Sequence, residues 1–302
     1  TSPHMHDTSL SPLTARAGPN PVVMDWPLQK APVPGVVLIV HGLGEHAWRY
    51  DALAQELNSW GFAVRAYDQF GHGESMGQRG ALPSADRLLQ DLAEVVDESR
   101  ARMHDNTPLI VLGHSMGGLV AARFVSLGMR KLDGLVLSSP ALDPGLDPLQ
   151  RLLLAVLPRL LPNLRVGNGL KPEFISHDAQ VVAQYKADPL VHDRISARLA
   201  KFIADGGPAT IACAPSWALP TLLLYAGADR CAAVCEEDGL DDFDDAPQAK
   251  IAGLRVELGA NVVLGAIAGA GGALDRFFNG FDHDALVDHL LAGDAVGNRE
   301  QL

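Results

Sequence analysis

The chain is short of cysteine, of basic charge and of long apolar runs, and each shortage excludes something. Its three cysteines (Cys213, Cys231 and Cys235) are too few for a disulfide framework, so a reducing compartment is the simpler reading. Lys and Arg number 24 against 36 Asp and Glu, a net charge of −12. That balance argues against a basic face for a nucleic-acid backbone or an anionic membrane. No uninterrupted apolar run reaches the ~18–20 residues that a membrane span needs. Leu258 to Leu274 comes nearest, and it is slightly short and full of glycine. The N-terminus lacks a basic segment followed by an apolar core, so no secretory signal is expected. Thr1 to Met5 reads as an expression remnant with Met5 as the native start, and residues 1–20 as a flexible N-terminus. What remains is an ordinary globular composition, 47% hydrophobic and 20% charged. Its 302 residues suit two domains or one large α/β domain. The expectation is a soluble, acidic, cytoplasmic protein.

Glycine and proline punctuate a regular alternation. Val36 to Val40 is a continuous branched apolar run, bounded by Gly35 and ending at His41-Gly42, which reads as a strand buried on both faces. Tyr50 to Trp60 has helical spacing and stops at Gly61. Phe62 to Tyr67 is a second strand, running into Asp68-Gln69-Phe70-Gly71-His72-Gly73. Ser84 to Met103 is a helix with Leu88, Leu89, Leu92, Val95 and Val96 as its apolar stripe. Leu109 to Leu112, Gly134 to Leu137 and Thr221 to Tyr225 repeat the strand pattern, with a helix over Leu119 to Leu127. Strands alternating with helices predict an α/β fold with a mostly parallel central sheet flanked by helices.

From Asp143 to Pro215 the rhythm breaks into short helices with no strand, beginning with the strongly apolar Leu149 to Leu161. A helical excursion between two sheet strands suits a lid over a site. The division expected is therefore a core of residues 21–142 and 216–302, with a helical cap at 143–215. Between Ala232 and Arg276 the pattern is irregular. The acidic run Glu236 to Asp245 lacks the spacing of a calcium loop and reads as a solvated loop, so no metal site is expected.

Gly113-His114-Ser115-Met116-Gly117 fits G-x-S-x-G, a weak pattern alone but here entered by a buried strand and left by a helix. That context predicts a strained turn displaying the Ser115 hydroxyl at the carboxyl end of the sheet, where open α/β folds bind ligands. A serine needs a base, and the base needs an orienting group. In this architecture the partners follow in the order Ser, Asp or Glu, His. Asp229 follows the strand at Thr221 to Tyr225. Only His283 and His289 come after it. His283 lies in a loop-like stretch before a helix at Ala285 to Ala292, and His289 lies within that helix, so His283 is the preferred base. The two oxyanion donors would be the backbone N–H of Met116 and that of Leu43 in His41-Gly42-Leu43-Gly44. Ser115 in place of a carboxylate speaks against epoxide and dehalogenase chemistry.

Four spaced motifs carry a resemblance. His41-Gly42-Leu43-Gly44-Glu45-His46 with Arg49-Tyr50, Asp68 to Ser75, Gly113 to Gly118, and Ser138-Ser139-Pro140-Ala141 together resemble monoacylglycerol lipases and related lysophospholipase-like serine hydrolases of the α/β-hydrolase fold. The likeness runs from about Gly35 to Asp229 and includes the cap. It implies hydrolysis of a single-acyl-chain lipid or similar small ester with no cofactor, and an apolar acyl entrance in the cap at Leu152 to Leu161 that makes transient membrane contact. Glu45 and Arg49 match family positions near the glycerol pocket. Phe278 to Asp284 resembles the family's histidine segment and supports His283, although Asp229 and His283 stand about twice as far apart as the family leaves them. The strand that positions His283 would then be rebuilt from Leu254 to Leu264, or the tail is aberrant. The rival readings are an esterase or peptidase on the same triad, and a non-catalytic relative that has lost its base.

Overall fold

Five branched apolar residues in a row leave a strand no polar face, and Val36 to Val40 sits with both faces covered. The computed structural model describes residues 11–12, 21–28, 33–104, 106–143, 145–176, 179–226, 255–258 and 262–266. The strands and helices are, in chain order, β1 (Ser11–Pro12), β2 (Val22–Trp26), β3 (Val36–Val40), α1 (Asp51–Ser59), β4 (Ala63–Asp68), α2 (Arg87–Arg102), β5 (Leu109–His114), α3 (Met116–Ser126), β6 (Gly134–Ser138), α4 (Pro148–Leu160), β7 (Arg165–Gly167), α5 (Ala179–Ala187), β8 (Arg194–Ser196), α6 (Ala197–Ile211), β9 (Thr221–Ala226), β10 (Arg255–Leu258) and β11 (Val262–Ala266).

Among the described residues the main sheet has the order β1-β2-β4-β3-β5-β6-β9-β11-β10. Its five central strands, β4 to β9 in that order, are parallel. The flanking strands pair antiparallel on both sides. Alternate residues of β3 feed two cores. Leu38 and Val40 pack with the α2 and α3 side chains Leu92, Val96 and Phe124. Val37 and Ile39 pack with Leu53 and Leu57 of α1. This is the expected α/β-hydrolase architecture. Strand order reverses between β3 and β5, and parallel sheets open a crevice at such a point, outside the carboxyl ends of the strands. The segments beginning at His41, Gln69, Ser115 and Ser139 all leave the sheet at that edge.

Two expectations are corrected. The stretch 143–215 is not strand-free: β7 and β8 pair antiparallel, Arg165 opposite Ser196. Each has three residues, and β7 is wholly exposed, so neither leaves an apolar alternation to read. The second concerns Leu254 to Leu264, which holds no single strand. It contains β10 and the start of β11, and β11 runs antiparallel to β9 with Val262 opposite Ala226. Among the described residues no helix is long and apolar enough to cross a membrane. Nor does any group of three or more His, Cys, Asp or Glu there stand where it could hold a metal ion. Cys213 is a free thiol, whereas Cys231, Cys235 and the acidic run lie outside the described residues.

The start of α4 is written locally. Asp147 Oδ1 accepts the Gln150 N–H at 2.8 Å and Gln150 Oε1 accepts the Asp147 N–H at 3.0 Å, a reciprocal cap with Pro148 in the first turn. No residue of α4 is buried, and Leu149, Leu152 and Leu160 are 63%, 62% and 70% exposed.

Helix α2 buries a carboxylate. Asp91 accepts from Arg87 Nε at 2.6 Å and from the Phe70 N–H at 3.4 Å. Burial nevertheless outweighs Arg87 and pushes its pKa from 3.8 up to about 7. A carboxyl raised in the folded state binds its proton more tightly there than in the unfolded chain. The protein therefore loses stability as pH rises from 3.8 towards about 7, and the full cost applies above that. Asp91→Asn is expected to flatten the fall in thermal midpoint between pH 5 and 8, with a difference of about 1 kcal/mol or more at the alkaline end. Parallel curves for the two proteins would show that Asp91 is ionised throughout.

Candidate active site

Ser115 stands between β5 and α3 with φ 51° and ψ −118°, a backbone conformation that costs about 1–3 kcal/mol for a residue bearing a side chain. Its surroundings hold it there. The Ser115 N–H donates to the Ser138 carbonyl at 2.9 Å, and the Ser115 carbonyl accepts from Leu119 at 3.1 Å and from Ala141 at 3.0 Å. The flanking glycines are required by contact. A Cβ on Gly113 would lie 2.5 Å from the Gly117 carbonyl oxygen, and one on Gly117 would lie 2.1 Å from that of Val40. Met116 opens α3, where first-turn N–H groups have no helical acceptor and a dipole favours negative charge.

The turn after β3 approaches this serine: a Cβ on Gly42 would sit 3.3 Å from Ser115 Cβ. Its peptide units are tied one by one. The His41 carbonyl accepts from Gln69 Nε2 at 2.6 Å, and the Gly42 N–H donates to Glu45 Oε1 at 2.5 Å. His41 Nε2 accepts the Gln69 N–H at 3.0 Å, so its proton is on Nδ1, which donates to the Gly42 carbonyl at 2.8 Å. That carbonyl shares a planar trans peptide with the Leu43 N–H, which points the opposite way. Fixing one end fixes the other. Among the described residues the Leu43 N–H has no acceptor. Asp68 braces the turn from behind, accepting the Ala47 N–H at 2.8 Å and the Glu74 N–H at 2.7 Å.

Glu45 gathers charge beside the serine. It accepts from Tyr50 Oη at 2.7 Å and Arg49 Nε at 3.3 Å. Burial alone would raise its carboxyl, but His114, Arg49, His41 and the Tyr50 hydroxyl outweigh it and hold the pKa at about 2. Glu45 is thus a fixed anion at neutral pH. The segment between β6 and β9 closes over this cluster. The Arg49 guanidinium lies 4.8 Å from the Tyr185 ring centre, and His46 Nε2 is 2.8 Å from Asp188 Oδ2. A cavity of about 310 Å³ opens in that segment, lined by Tyr185, Asp188 and His192 among others, with no contribution from Ser115 or the β3 turn.

The structure therefore brings together Ser115, Leu43, Met116, Glu45 and Arg49. Asp229 and His283, like His289, lie outside the described residues. β9 ends at Ala226, three positions before Asp229. Sequence reasoning missed His41 as the clamp on the Gly42 carbonyl, and Tyr185, Asp188 and His192 as neighbours of the turn. His41 carried a signal, since it opens the same motif as Leu43. The other three carried none, because their partners are more than 100 positions away.

Known proteins resemble this chain over most of its length. Residues 31–251 match the family described as serine aminopeptidase, S33. The chain is 36% identical over 199 residues to the monoacylglycerol lipase of Mycolicibacterium smegmatis, covering 65% of this chain and 70% of that one. It is 32% identical over 228 residues to an uncharacterized abhydrolase domain-containing protein of Dictyostelium discoideum, 74% of this chain but 23% of that much longer protein. The crystal structure of the monoacylglycerol lipase of Paleococcus ferrophilus superposes with a TM-score of 0.61 at 36% identity, covering 68% of this chain and 77% of the other.

Proposed function

The chain belongs to the serine aminopeptidase S33 family and is a monoacylglycerol lipase-like α/β-hydrolase; from that premise we propose that it cleaves monoacylglycerols or similar single-acyl-chain esters through an acyl-enzyme on Ser115. The observation that carries this reading is the strained Ser115 turn with Gly42 packed against it and the next N–H, that of Leu43, without an acceptor among the described residues. In this mechanism Ser115 Oγ attacks the ester carbonyl as its proton passes to His283. Asp229 orients the imidazole and stabilises its charged form. The oxyanion rests on the Leu43 and Met116 N–H groups. Collapse breaks the ester C–O bond, and the alcohol leaves with the proton from His283. Water, deprotonated by the same histidine, then releases the fatty acid and restores Ser115. The Glu45 anion and Arg49 suit hydroxyl groups of a glycerol moiety, and the reaction needs no cofactor.

Residues 143–215 act in this reading as the cap. The leucines of α4 offer the acyl chain an apolar entrance and touch a membrane surface transiently, as expected of a cytoplasmic enzyme peripheral to the bilayer. Exposed Leu152 and Leu160 support this, since such apolar surface on a helix is otherwise costly. Leu152→Asp/Leu160→Asp is expected to lower turnover of monoacylglycerol presented in vesicles by roughly tenfold or more while sparing a soluble short-chain ester. Equal losses on both substrates would remove the entrance role.

The test of the reaction itself is labelling with a fluorophosphonate, which traps serines activated by a base. Intact mass should show one adduct per chain, mapped to Ser115. Folded protein that takes no label would overturn the serine-hydrolase reading and favour the non-catalytic one.

A further inference from the structure

The turn that carries Leu43 is fastened from outside the core. The His192 N–H donates to the Gly44 carbonyl at 2.8 Å. The His192 carbonyl packs so closely on Gly44 that a Cβ there would lie 2.4 Å from it. Gly44 has φ +79°, so this position excludes a side chain on two grounds. Four residues on, the Ser196 N–H donates to the Gly80 carbonyl at 2.8 Å, which secures β8, just past His192, to the loop beyond His72.

The His192 side chain makes a second connection. Its ring centre is 4.7 Å from that of His72, and the His72 ring centre is 5.3 Å from that of His41. The three imidazoles form a column from the cap to the clamp on the Gly42 carbonyl. His72 is fully buried; its Nδ1 bonds the Phe70 carbonyl at 3.0 Å, while its Nε2 has no hydrogen-bond partner among the described residues. Packing by the two flanking rings therefore does much to set its orientation. Burial keeps the column uncharged at neutral pH. It lowers the pKa of all three rings, that of His192 to about 4 with Arg79 adding to the effect.

We propose that the His192 ring is a positioning group for the Leu43 N–H, acting from the cap on the His72–His41 column while the His192 main chain anchors it at Gly44. The inference rests on the ester-hydrolase reading above. The cap would then do more than admit substrate: it aligns one of the two donors that meet the developing negative charge.

The test is steady-state kinetics on a soluble short-chain ester, which bypasses any surface binding by the cap. His192→Ala is expected to lower kcat by roughly tenfold, less than outright removal of an oxyanion donor, with KM within about twofold of wild type. His192→Phe keeps a ring against His72 and should restore most of the loss. His72→Ala/His192→Ala should be no slower than the slower single variant, because both act through one column. His192→Gln, which keeps bulk without the ring face, carries the same test should the alanine variant fail to fold. Wild-type kcat in His192→Ala or His192→Gln, or a loss confined to KM, would overturn the proposal. A wild-type enzyme with neither turnover nor fluorophosphonate label would remove the hydrolase reading beneath it, a failure distinct from that of His192.

Discussion

Ser115→Ala is expected to lower ester hydrolysis by about 10⁴-fold or more, leaving only the residual rate that oxyanion stabilisation and binding supply. In the proposed mechanism the loss should fall on kcat, with the turn, Glu45 and Arg49 left to hold the substrate. The backbone makes a companion prediction. Ser115 sits at φ 51°, and alanine retains the Cβ that makes this conformation costly, so Ser115→Ala should denature close to wild type. Ser115→Gly should be equally inactive but more stable by about 1 kcal/mol, since glycine adopts that φ without strain. Denaturant midpoints for the three proteins check the stabilities and a continuous ester assay checks the rates. Turnover of the alanine variant within tenfold of wild type would move the nucleophile elsewhere.

A large effect on stability is expected two residues further on. A Cβ at Gly117 would lie 2.1 Å from the Val40 carbonyl oxygen and 2.4 Å from that of His41. Both belong to main chain at the end of β3, inside the sheet, and cannot rotate away as a side chain would. Relieving the contact means moving α3 off β3 or distorting the turn that holds Leu43. Gly117→Ala is thus expected to cost about 3 kcal/mol or more, at the upper end of overpacking penalties. Gly128 provides the control. Its φ is +60°, but nothing lies within 4 Å of a Cβ built there, so Gly128→Ala should cost only the conformational term of about 1 kcal/mol. Similar losses at the two positions would mean that α3 can shift at little cost.

What could be read from the sequence was local. β3, β5 and β6 announce themselves because central parallel strands are buried on both faces and become unbroken apolar runs. The turn at Ser115 is legible because its glycines are forced by contacts within a few residues and with the adjoining strand. β2 is harder to see, since Asp25 interrupts it. Among the described residues that carboxylate is paired with Arg65 on the neighbouring strand, at 2.6 and 2.8 Å and 40 positions away. β7 and β8 bury too little to leave a pattern. The ties from Tyr185, Asp188 and His192 to the β3 turn could not be read at all, because each joins residues with no periodic relation. Asp229 and His283, named from chain order and a local motif, lie outside the described residues.

The bond between His192 and Gly44 also fixes an order of events in the making of the protein. During synthesis Gly44 emerges long before His192. At about 5–20 residues per second the gap is roughly 7 to 30 seconds. Residues of β3, β4 and β5 are all available to pair within that time, so a nascent chain can hold a sheet while the turn above it is still unfastened. The long-range closure that fastens it comes late and brings a large loop-entropy cost with it. A ribosome-bound chain halted before residue 192 should therefore protect its β3 and β5 amides from hydrogen exchange and leave Gly44 and Glu45 open.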